Sequence, residues 1–383
     1  MDTVSIIKCQ DYDKKKLIDI IEKHFKNLGG IEKLIPKNSK VAVKPNLVMG
    51  LAPEKAATTH PVFLDALISI VKKQTDNIII VESPGGPSNE ARFKAICKTT
   101  GISALDCEIV YEKESVEIPC ENGVKCRSFD VLKALTEVDV IISAAKLKTH
   151  GMMVFSGAAK NLFGAIYGLA KSEFHFRFSQ KEDFANMLID LCIAIKPSIS
   201  FIDGIVGMEG NGPTGGNAKE TGLTFAGLNP FATDFIAGET IGVSKEKSPL
   251  IYQAIERKLC PDKIENINIL GSEGEKIESL EPYFCKYMMP DALSATDVSF
   301  LFFRKLPKGM KRFIDRKFSP YPIINKDKCI GCQECYKSCP QKTIVMKDKK
   351  ADIITKNCIR CFCCQELCPK HAVDVKRLPL FKI

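Results

Sequence analysis

Apolar residues recur along the first 290 or so positions in two rhythms. Short runs rich in Val and Ile, apolar at consecutive positions, stand at "KVAVKPNLV" (40–48), "NIIIVES" (77–83), "CEIVY" (107–111), "VDVIISAAK" (138–146), "SISFIDGIV" (198–206) and "NINIL" (266–270). A run of that kind suits a strand covered on both faces, as in a parallel sheet. Between these runs the apolar spacing becomes helical, at Lys14–Leu28, Pro61–Gln74, Asn89–Thr99, Glu182–Ile195 and Thr233–Ile241. Alternation of strand and helix predicts a layered α/β body with a largely parallel sheet, placed at residues 1–299. The pattern then changes. Residues 300–322 mix Phe with Lys and Arg, and Pro307 and Gly309 interrupt any long helix. This stretch reads as a basic aromatic connector packed on the body, with a partner-docking patch or a peripheral membrane contact as alternatives. Residues 323–383 form a third unit, a small α+β module.

Polar motifs fall where the predicted strands end. "KPNL" brings Lys44 and Asn46, "ESPGGP" brings Glu82, "KLKTHG" brings Lys146, Lys148 and His150, and "DGIVGMEGNGPTGG" brings Asp203. "AAKNLFG" adds Lys160 and Asn161. Ligands of open α/β sheets bind beyond the carboxyl ends of the strands, so these segments are expected to be loops forming one mouth. Glycine lets backbone N–H groups approach a ligand, and lysine supplies point charges; together they suit a carboxylate or phosphate. His150 is the group that titrates near neutrality. The expected division of labour is that Lys146, Lys148 and Lys160 bind an anionic small molecule, His150 exchanges a proton, and Asn46 and Asn161 orient the ligand. Glu82 and Asp203 serve as acid/base groups, as metal ligands, or as ion-pair partners of the lysines. Plainer readings stand beside these: lysines that reach water, a structural hydrogen bond for His150, and helix capping by His60. "GNGPTG" (210–215) matches G-x-G-x-x-G, but "GNAKETGLTF" offers no helix after it, so a dinucleotide fold is not expected. There is no P-loop, no H-E-x-x-H, and no G-x-S-x-G frame around Ser156.

Cysteine changes the picture most. Nine of the 17 cysteines lie between Cys329 and Cys368, and the other eight are scattered. "CIGCQECYKSCP" and "CIRCFCCQELCP" each read C-x2-C-x2-C-x3-C-P, starting 29 residues apart. In such runs the fourth Cys ligates the other cluster of a two-cluster module. The pattern assigns Cys329, Cys332, Cys335 and Cys368 to one [4Fe-4S] cluster, and Cys339, Cys358, Cys361 and Cys364 to a second. Cys363 departs from it, as an idle small residue or an alternative ligand. Zinc knuckles come in pairs rather than triplets followed by Cys-Pro.

Charge separates the same parts. Residues 325–383 hold 13 Lys/Arg against 6 Asp/Glu and residues 300–324 hold 7 against 1, so the first 299 residues carry −4 of a whole-chain +9. Such asymmetry suits an acidic electron carrier (ferredoxin or flavodoxin) or a partner redox enzyme. Nucleic acid is not expected, because no recognition helix or RNA-binding signature accompanies the charge. No run approaches a membrane span, and the acidic start "MDTVSIIKCQ" is no signal peptide, so the expected setting is cytoplasmic.

Two resemblances follow from these residues. Residues 323–377 resemble bacterial-type two-cluster ferredoxins. Residues 40–240 carry "VAVKPNL", "HP" (His60–Pro61), "KLKTHG", "AAKNLFG", "DGIVGMEGNGP" and "ATD" (Ala232–Asp234), and resemble the domain-of-unknown-function family three-six-two. That resemblance implies an iron–sulfur protein with an enzyme-like body and transfers no reaction. Three functions stay open. The first is an oxidoreductase passing low-potential electrons to an anionic substrate, or to an additional unidentified cofactor, in the body. The second is a ferredoxin-like carrier that docks a partner enzyme. The third is a metal or cluster delivery protein.

Overall fold

Along the strands, alternate side chains turn to opposite sides and enter separate cores. Val41, Val43, Ile78, Ile80, Val140 and Ile142 belong to one buried cluster; Ala42, Ile79, Val81, Ile141 and Ala145 belong to another. A sheet loaded on both faces must be covered on both, which dictates three layers. Each fully buried Val, Ile, Leu or Phe contributes about 1.5–3 kcal/mol. The structure, a computed structural model, describes residues 1–293 and 320–376. The connector expected at 300–322 therefore lies outside the described residues except for 320–322.

The strands of the body are β1 (Asp2–Lys8), β2 (Val41–Pro45), β3 (Ile78–Val81), β4 (Glu108–Val110), β5 (Ser115–Pro119), β6 (Ser128–Leu132), β7 (Val140–His150), β8 (Val154–Ser156), β9 (Ile199–Glu209), β10 (Asn217–Gly227) and β11 (Ile267–Leu270). The helices are α1 (Lys14–Asn27), α2 (Ile31–Leu34), α3 (Pro61–Val71), α4 (Glu90–Thr99), α5 (Ala158–Asn161), α6 (Ala170–Arg177), α7 (Lys181–Ile195), α8 (Pro230–Thr240) and α9 (Pro249–Glu256). Nine strands make one sheet in the order β11-β1-β10-β9-β7-β2-β3-β4, with β8 on β7. The run β9-β7-β2-β3-β4 is parallel. β10 lies antiparallel between β9 and β1. The fold is thus the layered α/β body with a largely parallel sheet that the alternation predicts. β1 and β10 were not among the predicted strands. β10 begins "NAKET", polar and exposed, and becomes apolar only in its second half.

Local chemistry sets several helix starts. Asp13 caps α1 through the Lys16 N–H at 2.9 Å. His60 caps α3, accepting from the Val62 N–H at 3.3 Å with Pro61 at the first helical position. Asn229 and Pro230 start α8 three residues before the predicted Thr233. α1, α3 and α4 cover one face; α5, α7, α8 and α9 cover the other.

The module has β12 (Tyr321–Ile324), α10 (Glu334–Ser338), β13 (Ile344–Lys347), β14 (Lys350–Ile353), α11 (Cys363–Glu366) and β15 (Val373–Lys376). β12 pairs with β15 and β13 with β14, both antiparallel. This is the small α+β unit that the cysteine repeat predicts.

Candidate active site between the body and the cysteine-rich module

β2 stops at Pro45, opposite Ala144, while β7 runs on for six more residues to His150. It then folds back on β8, pairing Lys148 with Ser156. "KLKTHG" is therefore mostly strand and not the expected loop, and every residue of β7 is buried. "DGIVGMEG" likewise runs as strand to Glu209. The polar side chains sit inside because these strands extend past the sheet edge and are covered there.

The segments do not form a single mouth. Lys146 and Asp203 close on each other in a separate buried network. Lys146 Nζ lies 2.8 Å from Asp203 Oδ2 and 2.8 Å from the Tyr12 hydroxyl. Tyr12 donates to Asp203 Oδ1 at 2.9 Å, and the His60 N–H donates to Asp203 Oδ2 at 3.0 Å. The Tyr12 and His60 rings stack 3.6 Å apart. Burial pushes the Lys146 ammonium down, and the Asp203 charge opposes it. Lys146 Nζ, the Tyr12 hydroxyl and both Asp203 oxygens each have a partner in this network.

A second group lines a cavity with a volume of about 90 Å³ for the centres of water-sized molecules. Asn46, Glu82, Lys148, Lys160 and Asn161 are in its wall, with Ser83, Lys171 and His175. Lys44 stands behind Glu82 as its buried ion-pair partner. Burial pushes the Glu82 carboxyl up and the Lys44 ammonium down, while each charge favours the other. Gly164 lets this pair approach: a Cβ there would lie 1.9 Å from Glu82 Oε1. Asn161 ties the strand ends together, donating to Lys44 O at 3.0 Å and accepting from Asn46 at 3.2 Å. Asp234 of "ATD" holds α5 in place, accepting from the Ala158 and Ala159 N–H groups; burial pushes its carboxyl up to about 7.

The lysines of the cavity differ in what they already hold. Lys148 donates to Asn46 Oδ1 at 2.7 Å and Ala57 O at 2.6 Å. Burial pushes it well below its usual range, and Lys160 adds repulsion. Lys171 donates to Ile166 O at 2.6 Å and Ser83 O at 2.9 Å, and burial lowers it to about 7. Lys160 has no hydrogen-bond acceptor among the described residues; its Nζ lies 5.9 Å from the centre of the Phe163 ring. A cation without an acceptor, in a wall with two other lysines, is what an anion site requires.

The module completes the cavity. Cys363, Glu366 and Leu367 lie in the same wall. Leu367 packs where a Cβ on Gly85 would come within 2.7 Å. The Thr214 hydroxyl donates to Glu366 O at 2.8 Å, and Arg92 pairs with Glu334 at 2.6 Å. "GNGPTG" is thus a hairpin loop that touches the module, and no helix follows it. His150 does not line the cavity. Its Nδ1 accepts from the Met152 and Met153 N–H groups at 3.1 and 3.2 Å, which leaves the ring proton on Nε2. That atom lies 3.1 Å from Glu366 Oε1, but off the line of a hydrogen bond. His150 Nε2, Glu366 Oε1 and His175 Nδ1 are buried without hydrogen-bond partners among the described residues. Burial pushes His150 and His175 down to about 4, so both face Glu366 as neutral rings. Burial opposes ionisation of Glu366, yet its surroundings hold it down to about 2. The His150 ring at 3.1 Å is the largest of the lowering influences, followed by the Lys160 ammonium and His175.

Among the described residues no three His, Cys, Asp or Glu side chains converge tightly enough for a single metal ion. The module's cysteines ring two cavities instead. Cys329, Cys332, Cys335 and Cys368 line one; Cys339, Cys358, Cys361, Cys363 and Cys364 line the other. Thiolates placed around a space, not on a point, fit a cubane whose irons each take one of them.

Lys171, His175, Glu366 and Tyr12 were not singled out from the sequence. Lys171 and His175 are four apart on α6, a spacing that puts both on one helix face and could have marked them. Glu366 gives no such sign, because it sits at an unremarkable position between two cysteines.

A model for the 4Fe-4S dicluster domain matches residues 321–369. Pyruvate synthase subunit PorD of Methanothermobacter marburgensis is 39% identical over 56 residues, 15% of this chain and 65% of that subunit. PorD of Thermotoga maritima is 35% identical over 60 residues, 14% of this chain and 57% of that subunit. The chain thus spans less than two thirds of either subunit. It covers more of the thylakoid-associated protein sll1697 of Synechocystis sp., at 28% identity over 271 residues, 69% of this chain and 82% of that protein. Among solved structures, the lactate racemase apoprotein from Thermoanaerobacterium thermosaccharolyticum aligns at 13% identity with a TM-score of 0.41, over 62% of this chain and 57% of that one. Among the described residues no helix is long and apolar enough to cross a membrane. The module is an iron–sulfur electron-transfer unit of ferredoxin type. Residues 41–239, more than half of the chain, match the model described as Domain of unknown function (DUF362), and the chain belongs to that family.

Proposed function

We propose that this protein is an iron–sulfur oxidoreductase whose body cavity holds an anionic substrate, or an anionic cofactor still to be identified, next to the electron-transfer module. The observation that carries this reading is one shared wall: Cys363 lines both the body cavity and the second cysteine-ringed cavity. In the proposal Cys329, Cys332, Cys335 and Cys368 hold one [4Fe-4S] cluster, Cys339, Cys358, Cys361 and Cys364 hold the other, and Cys363 ligates neither. Such clusters, when bound, supply reversible one-electron transfer at low potential. The chain's own residues do the rest. Lys160 pairs with the anion, with Lys148 and Lys171 adding positive charge. Asn46 and Asn161 keep the wall in register, and Lys44 holds Glu82. His175 is the group placed to hold a proton at the ligand, in preference to His150, whose Nδ1 is already engaged. Lys146 and Asp203 act on stability and not on the ligand. The residue boundaries 1–299, 300–322 and 323–383 and a cytoplasmic setting with an acidic redox partner belong to the same proposal.

A carrier function is the second reading, favoured by the likeness of the module to PorD subunits of pyruvate synthase. It leaves the lysine-lined cavity without a role. Anaerobic purification separates the two. Roughly eight irons per chain are expected, with Cys332→Ala and Cys361→Ala each losing about half and Cys363→Ala losing none. Mass spectrometry of the released small molecules is expected to find an anion that Lys160→Met no longer retains. Four irons, or zinc alone, would falsify the two-cluster assignment. Full iron with no anion retained or bound by the wild type would leave the carrier reading standing.

A further inference from the structure

The two cysteine-ringed cavities meet different surroundings. The second shares Cys363 with the body cavity, and none of its lining cysteines is exposed. The first is lined by Ile330, Cys332 and Lys370, and Cys332 is exposed. Ile330 in its wall keeps 61%, and Tyr336, next in sequence to the lining Cys335, keeps 48% of its surface in contact with solvent. Large apolar groups held in water next to a thiolate ring mark a contact surface, not a packing position.

The rim of this patch is basic. Lys370 lines the cavity, and Lys328 and Lys337, next in sequence to Cys329 and Tyr336, are exposed. Lys55 of the body joins them across the junction: after burial, the charges of Lys55 and Lys328 are what hold the nearby His371 ring below its ordinary range. The neighbouring acids are fewer. Asp327 and Glu54 are exposed, and Glu334 is already paired with Arg92.

We propose that the face around Ile330, Cys332 and Tyr336 is the docking surface for a small acidic one-electron carrier, and that electrons enter at the first cysteine cavity and not the second. The proposal rests on the two-cluster reading above. An apolar centre with a charged rim is the ordinary anatomy of a transient interface, in which rim charges govern encounter more than final affinity. One electron leaves the carrier and one arrives on this chain. The carrier is oxidised by one equivalent and the chain is reduced by one, and no bond is made or broken. The order from outside to inside is then carrier, first cavity, second cavity, body cavity.

The test uses anaerobic holoprotein and two probes, a reduced acidic two-cluster ferredoxin and the same ferredoxin oxidised. Stopped-flow absorbance reads electron arrival from the reduced probe, and isothermal titration reads complex formation with the oxidised one. Lys328→Glu with Lys370→Glu is expected to weaken binding and slow the second-order rate about tenfold at about 0.1 M salt, with the difference vanishing near 1 M. Ile330→Glu is expected to weaken binding at both salt concentrations. Lys356→Glu, a charge reversal beside the second cavity, is expected to change either readout less than about twofold. All variants should keep their iron and be fully reduced by dithionite. A strong effect of Lys356→Glu with none at Lys328 and Lys370 would overturn the assignment of the entry face. A wild type that dithionite reduces but the ferredoxin neither binds nor reduces would overturn the acidic-carrier partner while leaving the clusters in place. Failure of dithionite itself would count against the underlying iron–sulfur reading.

Discussion

One strand supplies a buried lysine to each of two polar groups, and the groups behave as different kinds of site. Lys146 meets Asp203, Tyr12 and, through Asp203, the backbone of His60, and each polar atom there has a partner. Two residues further along β7, Lys148 belongs to a wall where Lys160 has no acceptor and where His175 Nδ1 and Glu366 Oε1 have no partner among the described residues. Lys146 and Lys148 are both buried, whereas Lys160 and Lys171 are half-buried. The two groups differ as well in satisfaction. A buried charge with a complete set of partners contributes to one particular fold, whereas an incomplete set gains by binding something. Burial and a lowered lysine pKa therefore do not by themselves identify a ligand site.

The largest effect is expected where the closed network is broken. Lys146→Met leaves Asp203 buried without its cation, which typically costs about 3–5 kcal/mol. The melting temperature of the full chain, followed by circular dichroism, should fall sharply; an unchanged value would mean that the network is not closed. The open group should give the opposite profile. Lys160→Met removes a cation that has no hydrogen-bond acceptor among the described residues, so stability should fall much less than in Lys146→Met. Affinity for sulfate or succinate, used as probe anions that do not titrate near neutrality, should fall about ten- to a hundred-fold, from the roughly 1.5–3 kcal/mol of a charge-assisted hydrogen bond. Calorimetry reads both quantities, and a large loss of stability with unchanged anion binding would reverse the two assignments.

Acid tests a third buried group, one that is closed like the Lys146 network but lies outside it. His24 is buried between the Ser5 and Thr224 hydroxyls at 2.8 and 2.9 Å, and burial lowers it to about 3. Above its unfolded value of about 6.5 it is neutral in both states and has no effect. As pH falls from there towards 3, the unfolded chain takes up a proton that the native ring refuses. Stability should then drop by about 1.4 kcal/mol per pH unit from this group alone. Melting temperatures between pH 7 and 5 test it, and a flat profile would show that His24 gains its proton without unfolding. On the open side anion binding should add a sensitivity at higher pH. Lys171 is lowered to about 7, so the free site loses that charge as pH rises past 7 and an anion must then bring a proton with it. Apparent affinity for sulfate should decline above pH 7 by at most about tenfold per unit. A constant affinity to pH 9 would place Lys171 outside the electrostatics of the ligand.

The sequence by itself determined the kind of body and the kind of module. Short continuous apolar runs and period-3.6 apolar spacing act over a few residues, and they are enough to make strands alternate with helices around two cores. The cysteine spacing is equally local, since residues three apart in one turn can surround one cluster, and so C-x2-C-x2-C-x3-C-P is readable without a fold. Tertiary structure alone decided which polar residue meets which. Lys44 finds Glu82 from 38 residues away, Lys146 finds Asp203 from 57, and Lys148 finds Asn46 from 102. It also turned "KLKTHG" from an expected loop into a covered strand, moved His150 out of the cavity wall, and brought Glu366 and Cys363 from the far end of the chain into it. The physical reason is that a side chain's charge is written in one position, but its burial and its partner are set by elements that the chain brings together only when it folds.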